Sequence, residues 1–166
     1  GYIEITRGCP WGCRFCQTSY ISGRDVRHRS AGVICDNVRI LLENKLTDVR
    51  FITPNALAYG SPDGRKPDLR KVEELLKSAR KAMGDRGRIF FGTFPSEVRP
   101  DFVTAEALKI IKEYASNDNI IIGAQSGSRK VLDEISRGHS VRDIYRAVEL
   151  TLKAGLKANV DFIFGL

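Results

Sequence analysis

The stretch "YIEITRGCPWGCRFCQTSY", residues 2–20, decides how the rest of the chain is read. Its opening "YIEIT" (2–6) is short, β-branched and alternating, the pattern of a strand. Directly after it, Cys9, Cys13 and Cys16 follow with C-x3-C-x2-C spacing. A strand that runs straight into a loop of three thiols places soft metal ligands at the strand's carboxyl end.

Strand-like and helix-like patterns alternate from there onward. Ile34, Val38, Leu41 and Leu42 form a helical stripe from about Ser30 to Asn44. "DVRFIT" (48–53) reads as a second strand, followed by a loop rich in Asn, Gly, Ser and Pro. Leu69, Val72, Leu75, Leu76, Ala79 and Met83 predict a helix that Gly84 stops. "RIFFGTF" (88–94) is a third strand, and Thr104 is placed to cap a helix carrying Leu108, Ile111 and Ala115. "NIIIGA" (119–124) is a fourth strand, leading into a helix around Lys130 to Ser136. Ser140 then caps a helix with Ile144, Val148 and Leu152 on one face, ended near Gly155. "KANVDFIFGL" (157–166) is a fifth strand. Near-continuous apolar strands alternating with helices indicate an α/β fold with a parallel sheet covered by helices. Such sheets carry ligands at the carboxyl ends of their strands. The loops after Thr53, Phe94, Ala124 and Phe164 therefore share a face with the cysteine loop.

At 166 residues, 42% hydrophobic and 28% charged, the chain can build one domain with a real core. No apolar run approaches the ~18 residues of a membrane span. "GYIEIT" shows no secretory pattern and reads as a strand already under way, so an excised piece of a longer protein is expected. The net charge of +7 permits RNA, phosphate or another anionic substrate. Its densest run, "GRDVRHR" (23–29), has a solvated basic surface as its plain reading. Four cysteines are too few for a disulfide scaffold, and their clustering suggests metal or redox chemistry in a reducing compartment, the cytoplasm.

A structural zinc site needs four closed ligands. The nearest fourth candidates are His28, among arginines and read as a surface residue, and Cys35, on the apolar side of a helix and read as a buried thiol. Three cysteines in a compact loop suit instead a cubane iron–sulfur cluster with one iron left open.

With Phe15 just before the third cysteine and a strand just before the first, this loop resembles the signature of radical S-adenosylmethionine (radical SAM) enzymes. The resemblance implies that Cys9, Cys13 and Cys16 hold a 4Fe-4S cluster and that its open iron binds the amine and carboxylate of S-adenosylmethionine. Reductive cleavage to methionine and a 5′-deoxyadenosyl radical would then permit hydrogen abstraction. It implies an open parallel (β/α) partial TIM-type barrel with five βα units present and the sixth strand missing. Residues 1–166 would be a core domain without its upstream and downstream parts.

Other segments extend the resemblance. "GTFPSEVRPDFVT" (92–104) is similar to the family's third-strand exit, which maps Glu97, beside Ser96, onto the cofactor ribose. A carboxylate accepts from two vicinal hydroxyls, although a plain loop carboxylate is the alternative. "IIIGAQSGSRKVLDEISRGHS" (120–140) is similar to a segment of methylthiotransferases and, more loosely, of oxygen-independent coproporphyrinogen oxidases. It implies Gln125 on the ribose and Arg137 on the methionine carboxylate, where a guanidinium fork matches both oxygens. Ser126 and Ser128 would donate to the cofactor or cap the next helix, with capping favoured for Ser128. "VDFIFGL" (160–166) implies Asp161 on the ribose and backbone 163–165 against adenine, with Phe15 nearby. "TPNALAYG" (53–60) departs from the family's amine-receiving loop; Pro54 and Asn55 would offer carbonyls there.

Implied partners are a reductant such as ferredoxin or flavodoxin and an RNA or protein substrate for methyl or methylthio transfer. An upstream domain would leave cobalamin-dependent chemistry open. The competing reading is a non-enzymatic zinc-binding α/β module whose basic face docks nucleic acid.

Overall fold

The computed structural model describes all of residues 1–166. Strand β1 (Tyr2–Glu4) is followed by β2 (Thr6–Arg7), helix α1 (Thr18–Ser22), β3 (Arg27–His28), α2 (Ala31–Glu43) and β4 (Asp48–Ile52). Then come α3 (Leu69–Met83), β5 (Arg88–Phe90), α4 (Ala105–Tyr114), β6 (Asn119–Gln125), α5 (Arg129–Glu134), α6 (Val141–Lys153) and β7 (Lys157–Phe162).

β1, β4 and β5 form one parallel sheet in that order, and β6 and β7 form another parallel pair. Segment 92–98 joins them. The Ile121 amide donates to Gly92 O (2.8 Å), the Val98 amide donates to Ile121 O (2.8 Å), and Val98 bridges Ile122 in parallel. The result is a curved wall of five parallel strands, an open partial barrel, with β7 at its exposed edge. Apolar side chains of strands and helices bury one main cluster of 28 residues beneath the helical layer.

Helix starts follow the expected chemistry. Thr104, Ser128 and Ser140 accept from the backbone amides three residues on, and Asp143 returns the bond to Ser140 in a capping box. Gly84 ends α3 at φ +58°.

Four expectations are corrected. The first strand ends at Glu4, because Thr6 and Arg7 leave the sheet to pair antiparallel with His28 and Arg27. The third strand ends at Phe90, two residues before Gly92 turns the chain at φ +67°. The fifth ends at Phe162, where its pairing to β6 runs out. His28 is half-buried rather than a surface residue: Nε2 donates to Ser61 O, Nδ1 accepts from Thr6 Oγ1, both at 2.9 Å, and its ring meets Tyr59 edge-on. Cys35 is 7% exposed, as its helical position predicts. No helix is long and apolar enough to cross a membrane.

Candidate functional site

The cysteine loop is held by backbone before any metal enters. The Cys9 amide donates to Gly23 O (3.1 Å), that of Arg14 to Ile135 O (3.0 Å) and that of Cys16 to Cys13 O (3.0 Å). Gly8 is required at the loop's start: its φ is +88°, and a Cβ would lie 2.1 Å from Asp25 O. The Thr18 amide points at Cys16 Sγ (3.5 Å). All four cysteines are free. Cys13 is buried, while Cys9 and Cys16 are half-buried. Burial pushes the Cys9 thiol above its ordinary range, the Trp11 backbone opposes the shift, and the neighbouring thiols add to it.

The three cysteines line a cavity of about 450 Å³ together with Glu97, Arg137 and Asp161. Glu97 is the hub of the facing wall. Gln125 Nε2 donates to its two oxygens at 3.1 and 3.3 Å, and Arg137 Nη2 donates to Oε1 at 3.0 Å. Arg137 Nη2 also donates to Gly123 O (2.8 Å), and Nη1 lies 3.7 Å from Cys13 Sγ. Its buried Nε has no partner. Gly123 gives the Glu97 carboxylate its room, since a Cβ there would lie 2.3 Å from Oε2. Gln125 sits at φ +67° beside a β-bulge, a strained backbone of the kind held at functional sites.

Residues expected from sequence divide into those brought together and those not. Cys9, Cys13, Cys16, Glu97 and Arg137 converge on one cavity. Phe15 lines both this cavity and an adjoining one that Gln125 lines, and packs against the small core cluster of Ala124, Leu132, Ile135 and Ile144. Asp161 lines both cavities from the exposed edge strand. The Ser126 hydroxyl accepts from the Ser128 amide (3.2 Å), shaping the turn rather than lining either cavity. Asn55 O already accepts from Thr53 Oγ1 (3.2 Å), and Ser96 Oγ donates to Phe51 O (2.6 Å), tying this loop to β4.

Two residues escaped the sequence reading. Arg99 is 1% exposed, and its guanidinium lies 3.7 Å from the centroid of the Trp11 ring, between the first two cysteines. The available signals were a lone arginine flanked by Val98 and Pro100 in "FPSEVRPDFV" and a tryptophan inside the cysteine spacing.

A cubane cluster held by three thiolates needs room beside them for the ligand of its fourth iron. The three thiols on one cavity and the unpartnered donor on Arg137 fit such a cluster with an anionic ligand beside it.

A family model described as "Radical SAM superfamily" matches residues 3–166. Similar curated proteins include tRNA-2-methylthio-N(6)-dimethylallyladenosine synthases. The one from Chlorobium phaeovibrioides is 28% identical over 99% of this chain and 35% of its own length. That of Koribacter versatilis is 30% identical over 99% and 36%. The chain thus spans about a third of the length of these relatives. Among solved structures, the methyltransferase TsrM from Kitasatospora setae, with cobalamin and a [4Fe-4S] cluster bound, has a TM-score of 0.76 at 15% identity, covering 100% of this chain and 31% of its own. The cobalamin-dependent enzyme OxsB gives 0.71 at 17% identity, over 98% and 23%. At such identities the likeness is one of fold, and it is the partial barrel described above.

Proposed function

This chain belongs to the radical SAM superfamily, and we propose that Cys9, Cys13 and Cys16 hold a 4Fe-4S cluster while Phe15, Glu97, Gln125, Arg137 and Asp161 grip S-adenosylmethionine. The convergence of three thiols, the Glu97 hub and the Arg137 fork on one cavity carries this reading. When bound, the cluster and cofactor supply one-electron chemistry that activates a carbon–hydrogen bond.

The chain's own residues bind, orient and shield. Arg137 presents a guanidinium whose Nε is still free to donate, the right group for a carboxylate. Glu97 accepts from vicinal hydroxyls, with Gln125 and Arg137 fixing its rotamer. Phe15 offers an apolar face that keeps water from the reacting region. Asp161 supplies a second acceptor from the opposite strand edge.

For the reaction we favour methylthio or methyl transfer onto an RNA base, supported by the synthases named above and the net charge of +7. Cobalamin-dependent methyl transfer to another substrate is the second reading, supported by the fold likeness to TsrM and OxsB. Electrons would come from a low-potential carrier such as ferredoxin or flavodoxin in the cytoplasm. The test is anaerobic reconstitution with iron and sulfide, followed by dithionite and S-adenosylmethionine. A brown protein that forms 5′-deoxyadenosine is expected. A colourless protein retaining stoichiometric zinc would overturn the proposal.

A further inference from the structure

We propose that Arg99 is a positioning residue for the cysteine loop: its buried guanidinium seats Trp11, and with it Cys9 and Cys13, against the loop that carries Arg137. The seat itself is read from the chain alone, and its effect on a cluster rests on the function proposed above.

A guanidinium 1% exposed is costly unless its charge is paired and its donors are used. Arg99 meets both conditions. Nε donates to Asp101 Oδ1 (3.0 Å) and Nη2 to Oδ2 (3.1 Å), closing a bidentate pair. Nη1 donates to the Arg137 carbonyl (2.9 Å), and the Arg99 amide donates to Asn55 Oδ1 (3.2 Å). The guanidinium also lies over the Trp11 ring. One side chain therefore fastens the cysteine loop and the Arg137 loop to each other, and its backbone adds the loop after β4. The Arg137 loop closes on the same ring. Gly138 has φ +78°, and a Cβ there would lie 2.7 Å from Trp11 Cζ3.

This arrangement couples thiols to cofactor grip. Arg137 has its carbonyl held by Arg99, while its guanidinium reaches Glu97 and approaches Cys13 Sγ. Because Asp101 neutralises Arg99, the effect of Arg99 is one of geometry more than of field. Lysine should therefore fail to replace it, since it keeps the charge but loses the fork and the stacked plane.

Trp11 is the chain's single tryptophan, so its fluorescence reports this seat directly. In the metal-free protein, Arg99→Lys and Arg99→Met should each red-shift the emission and raise acrylamide quenching severalfold, with far-UV circular dichroism unchanged. After reconstitution, both should take up iron about 10–100-fold more weakly. The change that S-adenosylmethionine induces in the electron paramagnetic resonance (EPR) spectrum of the reduced cluster should also be lost. Wild-type quenching together with a wild-type spectral response in either variant would overturn the proposal. Should both variants unfold, Trp11→Leu removes the stack and leaves the Arg99–Asp101 pair intact. Normal iron uptake and a normal spectral response in that protein would overturn the proposal equally. If the wild-type chain itself takes up no iron, the cluster reading falls, and the metal-free fluorescence still decides the seat.

Discussion

Replacing Gly123 by alanine should weaken the proposed cofactor grip while leaving the barrel folded. Gly123 has no left-handed backbone to protect, so the consequence is purely one of space. The new Cβ would lie 2.3–2.4 Å from all three atoms of the Glu97 carboxylate group, whereas ordinary contact begins at 3.4 Å. The carboxylate must therefore retreat by about 1 Å, because its neighbour's wall is sheet backbone. A shift of that size breaks the 3.0 Å bond from Arg137 and the 3.1 and 3.3 Å bonds from Gln125. Hydrogen bonds to a charged group contribute ~1.5–3 kcal/mol, and the gain from removing a strand glycine is ~0.5–1 kcal/mol. The displaced carboxylate is partly exposed and regains much of this from water, so the net loss is that of about one such bond less the glycine gain, ~0.5–2.5 kcal/mol, which for a domain of this size lowers Tm by ~1–10 °C. On the proposed assignment of Glu97 to the cofactor hydroxyls the binding effect is larger, because that acceptor has moved: affinity for S-adenosylmethionine should fall roughly tenfold or more, the scale of one lost charged hydrogen bond. Calorimetric titration of the reconstituted variant measures this, with Gly127→Ala as control, since nothing lies within 4 Å of a Cβ there. Wild-type affinity in Gly123→Ala would refute the assignment of Glu97.

Three further outcomes follow from the same geometry. Serine at Cys9, Cys13 or Cys16 should each reduce bound iron, whereas Cys35→Ala, at a buried position of α2 away from the cavity, should leave the iron count of the reconstituted protein unchanged. His139 is pushed down to about 4 from 6.5, first by burial and then by Arg137 and Arg99. The native state thus keeps it neutral while the unfolded chain takes up a proton. Stability should be full above about pH 6.5 and fall toward pH 4 by ~1–2 kcal/mol after allowance for solvent screening. His139→Gln should flatten that part of the Tm–pH curve, and an unchanged slope would exclude this source. Ser140→Ala removes the α6 capping box and should cost ~1 kcal/mol in a urea melt, without altering iron uptake.

What was legible in the sequence follows from how local each signal is. The five strands and their helices were readable because apolar runs, periodicity and caps such as Thr104 and Ser140 are short-range features. The β2–β3 ribbon was not, because two-residue strands carry no period and exist only through their pairing. Strand ends at Phe90 and Phe162 depended on partners for the same reason. In the site, the cysteines announced themselves by spacing. Glu97, Gln125 and Arg137, scattered along the chain, were joined only through family resemblance, and the fold is what brings them within hydrogen-bonding reach. Arg99 stayed hidden because a loop arginine ordinarily reads as solvated. Its burial makes sense only once Asp101, Asn55 and Trp11 are seen around it.

Strand β6 carries two programmes in seven residues. Ile120, Ile122 and Ala124 face the helices and belong to the packed cores, while Ile121 faces the cavity, Gly123 makes room for Glu97 and Gln125 bonds to it. Alternation keeps the two series apart. Drift in the even series trades stability alone, and drift in the odd series alters what the cavity accepts. Such a strand lets a lineage explore new substrates without renegotiating its architecture, since the positions open to innovation are not the ones that hold the barrel together.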